Sequence, residues 1–425
     1  MRVERFRLED PDALVGQVRD LIPAGESVAA AAGAIVDDVR DRGDAAVIEY
    51  TDRFDVPGTD LRVGPDELAA ALAGLDEAVR RGLEVAISNV AEVANAGVGE
   101  DREVLLAQGH RVLLREVAVR RAAVYVPGGA APYPSTVVMG VVTARSAGVE
   151  EVVICTPPPV APVLLATCAL CGIDVVYRIG GAQAVAALAY GTETVGAVDV
   201  IVGPGNLYVQ EAKRLVSGQV GIDGFAGPSD LLVIFDAGDL GSLRLIGLDL
   251  LAQAEHGAQS LVLAVSDDPS LLDALAVELT SLAELRPRRD SAPCVLVEAD
   301  SLDAALAFSD AYAPEHLELI GPGAEALASR VRCAGAVFVG WPGATAFGDY
   351  VAGSNHVLPT GGSARFASSL SPRHFRRRMA EIRIPAGALA PLAQAGAAIA
   401  LAEGFPVHAE SMLARAPELG ENPAG

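Results

Sequence analysis

Apolar and polar positions change their spacing several times along this chain, and each change marks a different kind of element. Over residues 26–98 the spacing is helical: Ser27 opens one apolar run, Asp44-Ala-Ala-Val-Ile-Glu-Tyr50 forms another, and Asp66 to Val93 repeats with charges on its outer face. From about residue 123 short β-branched runs take over. Val124–Gly129, Val152–Thr156, Val175–Arg178 and Val198–Val202 are separated by helical segments, which predicts a parallel sheet with crossover helices. A second α/β series starts near 230, with strands expected at Leu231–Phe235, Ser260–Val265, Cys294–Val297, Leu317–Ile320 and Ala336–Val339. After about 370 the pattern reads as helical again, through basic Arg373 to Arg378 and then an alanine-rich helix. That tail is too small for its own core and must pack on something.

Composition narrows the functional classes. A length of 425 residues exceeds what one hydrophobic core usually supports, so two or more domains are expected. Acidic residues outnumber basic ones 55 to 32, for a formal charge of −23. Such a surface repels phosphate backbones and anionic lipid, so neither nucleic acid nor membrane is an expected partner. The start, MRVERFRLEDPDAL, lacks the apolar stretch of a secretion signal, and the expected location is the cytoplasm. Gly387 to Leu401 is too short to span a bilayer and reads as a buried helix. The five cysteines form no framework, and Cys168-x-x-Cys171 falls within a helical run, where a core face explains it best. The one lysine, Lys213, sits in what reads as a helix surface, so Schiff-base chemistry is set aside.

Candidate chemistry lies in four rare polar clusters: Gln253-Ala-Glu-His256, Pro314-Glu315-His316, Gly348-Asp349 to Asn355-His356, and Glu403 to His408. Four of the six histidines fall in them. Gln253 and His256 leave one face of a helix end, and His with carboxylates is the usual donor set of catalytic zinc. Glu315 and His316 form a carboxylate–imidazole pair suited to proton transfer. Each cluster alone is better explained as a capped turn, a loop or a packed histidine; together they read as one site. Three strand ends also run into glycine, at Gly128-Gly129, Gly180-Gly181 and Gly203-Pro-Gly205, each accompanied by a polar residue, Tyr125, Gln183 or Asn206. Singly these are plain turns; in company they suit a dinucleotide, because amides at helix N-termini favour phosphate. A zinc hydrolase using Glu315 as base, and a silent metal-dependent binding scaffold, remain as alternatives.

The longer motifs resemble the histidinol dehydrogenase family: YVPGGAAPYPSTVVMG (125–140), YRIGGAQAVAALAYGT (177–192), IVGPGNLYVQEAKRLV (201–216), AGPSDLLVI (226–234), LLAQAEHGAQS (250–260), YAPEHLEL (312–319), GDYVAGSNHVLPTGGSARF (348–366) and EGFPVHAESM (403–412). The resemblance implies zinc ligands at Gln253, His256, Asp349 and His408, and a catalytic pair at Glu315 and His316. It implies NAD contacts at Tyr125, Gln183 and Asn206. Substrate contacts would fall to Ser229, His316, His356 and Glu403 alongside the zinc ligands. The implied reaction is oxidation of L-histidinol to L-histidine with two NAD⁺, and the implied architecture is two incomplete Rossmann-like domains with helical terminal segments. On that plan residues 1–22 are an N-terminal segment, 23–122 with 231–370 one Rossmann-like domain, 123–230 the other, and 371–425 a helical tail that completes the partner's site in a homodimer. Two departures are small: Asp230 stands where the family often has glutamate, and Val200 where it often has lysine.

Overall fold

A computed structural model describes residues 2–22, 27–128, 131–225, 227–238, 240–286 and 292–416. Gly129 of the first glycine turn and Ala226 of the AGPSD motif lie outside the described residues. In chain order the strands are β1 (Val3–Arg7), β2 (Arg102–Leu105), β3 (Arg111–Ala118), β4 (Arg121–Tyr125), β5 (Glu151–Thr156), β6 (Val176–Arg178), β7 (Val200–Val202), β8 (Gly221–Ile222), β9 (Asp230–Phe235), β10 (Leu261–Ser266), β11 (Cys294–Glu298), β12 (His316–Ile320), β13 (Ala336–Val339) and β14 (Arg376–Arg383).

Two parallel sheets flanked by helices give the α/β class. One has the order β6-β5-β4-β7-β8, the other β1-β11-β10-β9-β12-β13. Their central strands are buried on both faces, which is why they read as unbroken apolar runs. In the first sheet Val124, Ile154 and Val202 enter one core while Ala123, Tyr125, Val153 and Ile201 enter the core on the other face. The second divides likewise, Leu232, Leu263 and Leu317 facing one way and Leu231, Val262 and Leu296 the other. The expected helices of the N-terminal third form at Ala29–Arg42, Asp44–Phe54, Pro65–Ala73 and Glu77–Ala96.

The chain divides into two compact units: residues up to Gly97 with Val119–Phe375, and Val98–Ala118 with the chain from Arg376 onward. Within the second unit, β14, β3 and β2 form an antiparallel sheet, and the helices Ala386–Ala402 and Pro406–Leu413 pack through Ala397, Ala400 and Ala409. The basic stretch expected to be helical is half a 3-10 turn, within Pro372–Phe375, and half strand, from Arg376. Its side chains stand largely in water on both faces, so charge masks the strand signal. The same masking hides β1, whose VERFR sequence joins the larger sheet beside β11, so the N-terminal segment is partly strand. Among the described residues no helix is long and apolar enough to cross a membrane.

Candidate active site

Both parallel sheets reverse their strand order once, between β4 and β7 and between β9 and β12, and such switch points open a crevice at the carboxyl ends of the strands. The smaller sheet follows this rule. Tyr125 ends β4, Gln183 lies in the first turn of the helix Gly181–Tyr190 after β6, and Asn206 caps the helix Leu207–Val216 after β7, its carboxamide accepting from Val209 N at 3.1 Å. Tyr125 and Gln183 are buried and Asn206 is exposed. The Tyr125 hydroxyl accepts from Gly181 N at 3.2 Å.

The larger sheet breaks the rule. Its carboxyl-end crevice is closed by Asp236, which accepts from Gly323 N at 2.8 Å and Ala324 N at 3.3 Å at the start of the short helix Pro322–Glu325. The polar clusters gather instead at the amino ends of β9 and β12. Ser229 and Asp230 open β9, while Glu315 and His316 open β12. Gln253 ends the helix Leu240–Ala254, and His256 follows it exposed to solvent.

These residues form one connected network. Gln253 Nε2 donates to Ser229 Oγ at 2.7 Å, and Ser229 Oγ donates in turn to Glu315 Oε2. The same carboxylate oxygen accepts from Asp230 N at 3.0 Å, and Glu315 N returns a bond to Asp230 Oδ1 at 2.7 Å. His316 Nδ1 donates to the Asp230 carbonyl at 3.2 Å, which turns Nε2 toward Asp349 Oδ1, 3.7 Å away. Burial raises the Glu315 carboxyl above its usual range, and raises Asp230 to about 7 with help from the Glu315 charge. For His316 burial acts downward, but Asp349 and Glu315 outweigh it and leave the imidazole at about 9. Asp349 is held low because the imidazoles of His316, His356 and His256 overcome the effect of burial.

Asp349 ends the short helix Thr345–Tyr350, and its carbonyl accepts from His356 Nδ1 at 2.9 Å. The far side of that ring meets Thr136 Oγ1 at 3.2 Å, and neighbouring Asn355 donates to Met139 O at 3.1 Å. The 349–356 segment is thereby anchored to the helix Pro134–Ser146 of the smaller sheet. Glu403 and His408 lie in the second unit, the first capping the helix Ala386–Ala402 and the second within Pro406–Leu413, both exposed. Nothing in the sequence singled out Thr136, and Asp230 stood out only as a departure from the motif.

Lys213 corrects an expectation. It is not on a helix surface but 1% exposed, sharing the inward face of its helix with Val209, Ala212 and Val216. Its Nζ donates to Gly203 O at 3.0 Å and pairs with Asp223, whose other oxygen accepts from Gly203 N at 2.6 Å. Gly203 has φ 115° and no room for a Cβ against the Tyr125 carbonyl, so the pair pins the Gly203–Asn206 turn by both backbone groups. Lys213→Met should lower unfolding stability by about 3–5 kcal/mol, because a buried Asp223 charge loses its partner. The check is a urea midpoint, which should partly recover when Asp223→Asn is added; an unchanged midpoint in the single variant would contradict this account. Cys168 and Cys171 are buried as a core face, with burial raising both thiols.

A cavity of about 680 Å³ runs from Gly205, Asn206 and Tyr208 on the smaller sheet to Asp230 and Tyr312 on the larger. Two parallel sheets with a carboxylate–imidazole pair near this cavity fit an α/β enzyme. The family model for histidinol dehydrogenase matches residues 23–416. Histidinol dehydrogenase of Parasynechococcus marenigrum is 44% identical over 388 residues, 89% of this chain and 88% of that one. The enzyme of Cereibacter sphaeroides is 43% identical over 425 residues, 97% and 96% of the two chains. A crystal structure of histidinol dehydrogenase from Elizabethkingia anophelis matches with a TM-score of 0.91 at 30% identity, covering 99% of each chain. This chain belongs to the histidinol dehydrogenase family.

Proposed function

We propose that this enzyme carries out the last steps of histidine biosynthesis in the cytoplasm, oxidising L-histidinol to L-histidine through the aldehyde with two NAD⁺ and zinc. The observation that carries this reading is the linked set Gln253, Ser229, Glu315, His316 and Asp349, which places an oriented imidazole and a buried carboxylate side by side.

The donor set suits zinc. Gln253 commits its Nε2 to Ser229, which leaves the carbonyl oxygen as its ligating end, and Asp349 is ionised among imidazoles. Among the described residues no three His, Cys, Asp or Glu side chains converge as a metal site. The first unit offers His256 and Asp349 with the Gln253 amide, and the His408 ligand would come from a partner subunit. Zinc held there would supply a fixed positive charge that orients the substrate, more than it would activate water.

Proton handling falls to the chain's own residues. With Asp349 committed to zinc, the charge that holds the ring protonated would be offset, and neutral His316 would take the alcohol proton at Nε2 as the carbon's hydride leaves for the first NAD⁺. Glu315 then takes a proton from water as that water adds to the aldehyde carbon, and His316 returns its proton to the carbonyl oxygen, giving the hydrate and a neutral ring. His316 takes the hydrate's hydroxyl proton as a second hydride leaves for the second NAD⁺, and the carboxylate product remains. Tyr125, Gln183 and Asn206 line the nucleotide side, and Ser229, His316 and His356 contact substrate. Glu403 and His408 are read as acting on the partner's site in a homodimer.

The test is the NADH formed per L-histidinol consumed, with zinc present and after chelation. Two NADH, lost on chelation and restored by zinc, are expected. No NADH from a folded, zinc-loaded dimer would overturn the reading in favour of a hydrolase or a silent scaffold.

A further inference from the structure

The smaller sheet has the strand order of a dinucleotide fold, but the place where such folds keep an acid is occupied by proline. In that topology a carboxylate accepting from the ribose hydroxyls stands at the end of the strand beside the one that carries the first glycine turn. Here that strand is β5, which runs into Thr156-Pro157-Pro158-Pro159, and residues 155–173 contain no carboxylate.

Asp55 fills the gap from a different part of the chain. It follows the helix Asp44–Phe54 as its C-cap. Its Oδ2 lies 3.3 Å from where a Cβ on Gly180 would stand, and that same point is 2.6 Å from the Pro157 Cβ. Gly180 caps the helix Gly181–Tyr190, whose first amide meets the Tyr125 hydroxyl, and the Asp55 charge is felt at that hydroxyl. The carboxylate therefore stands where β4, β5 and β6 all end. Oδ2 is closed off from solvent and has no hydrogen-bond partner, a costly state for a carboxylate unless a donor arrives. The arginine at the end of β6, Arg178, is already bound to Glu67 and to the carbonyl of Arg62 at 3.1 Å.

We propose that Asp55 accepts from the adenosine ribose diol of the nucleotide and sets the preference for NAD over NADP. The diol offers the donors that Oδ2 lacks. A 2′-phosphate would instead bring negative charge against a half-buried carboxylate whose Oδ2 is closed off from solvent, with Arg178 committed elsewhere. The inference rests on the NAD-dependent reading above and deepens it.

Kinetics of the zinc-loaded enzyme with NAD⁺ and NADP⁺ at saturating L-histidinol test it. Asp55→Ser should raise KM for NAD⁺ by about ten- to hundred-fold, the loss falling on KM more than kcat, and should raise the NADP⁺/NAD⁺ ratio of kcat/KM by a similar factor. Asp55→Asn keeps an acceptor oxygen and removes the charge, so it should hold NAD⁺ better than the serine variant while still admitting NADP⁺. An unchanged ratio in both variants would overturn the assignment, because a purely structural loss weakens both nucleotides alike. Calorimetry on the unmodified enzyme needs no variant: NAD⁺ lacking the adenosine 2′-hydroxyl should bind about ten-fold more weakly, and equal affinity would also overturn the assignment. Enzyme that shows this preference but turns over no L-histidinol would sink the dehydrogenase reading and leave Asp55 in place.

Discussion

Glu315→Gln is expected to slow oxidation of the aldehyde by about 10²–10⁴-fold while sparing oxidation of the alcohol. The asymmetry follows from the division of labour between two adjacent groups. His316 is oriented by the Asp230 carbonyl, and in the proposed mechanism it presents Nε2 to the alcohol, so it would take that proton without Glu315. In that mechanism only the second oxidation needs water added to the substrate, and the buried carboxylate of Glu315 is the group proposed to activate it. Glutamine is nearly isosteric and keeps a carbonyl oxygen to accept from Ser229 Oγ or Asp230 N. It also removes a charge that burial disfavours, so the unfolding midpoint should not fall. Single-turnover rates measured separately from L-histidinol and from L-histidinal decide the matter. Equal losses in the two steps would contradict the roles given to Glu315 and His316.

How far the sequence reveals this arrangement depends on burial. Strands covered on both faces, such as Leu231–Phe235 and Val152–Thr156, appear as β-branched or apolar runs because no position must face water. Strands open to solvent carry arginine and glutamate along their length, and β1, β2, β3 and β14 escape notice for that reason. The candidate site divides the same way. Histidine clusters stand out against glycine and proline, but their convergence depends on two strands beginning side by side, β9 with Ser229-Asp230 and β12 with Glu315-His316. No spacing along the chain encodes that pairing. The general preference for carboxyl ends would even have placed the chemistry at the wrong edge of the larger sheet, where Asp236 closes the crevice. Lys213 misleads for a related reason. Its neighbours Lys-Arg look like a wetted face, and only the Gly203 turn and Asp223, ten residues away in either direction, explain its burial.

Two variants that each fail to form L-histidine, Glu315→Gln and His408→Asn, are expected to restore its formation when unfolded together and refolded as mixed dimers. Glu403 and His408 sit on a tail whose own core is three alanines, while Ile399, Leu401, Phe405 and Val407 on the same tail stand exposed. Apolar side chains so placed are what a surface covered by another chain would present. If the tail serves the partner, a mixed dimer holds one site with both defects and one with neither. Random pairing makes half the dimers mixed, so recovery should approach about a quarter of the unmodified activity for a two-fold assembly. If the tail serves its own chain, every site in every dimer carries one defect and nothing returns. The experiment therefore separates the two arrangements by presence or absence of signal rather than by degree. Subunit mixing must be verified independently, by a mass tag on one variant, and a verified mixture without activity would sink the shared-site proposal. Recovery would in turn tie the exposed apolar tail to catalysis, because burying Phe405 and Val407 against a partner would be the same event that delivers His408 to Asp349 and His256.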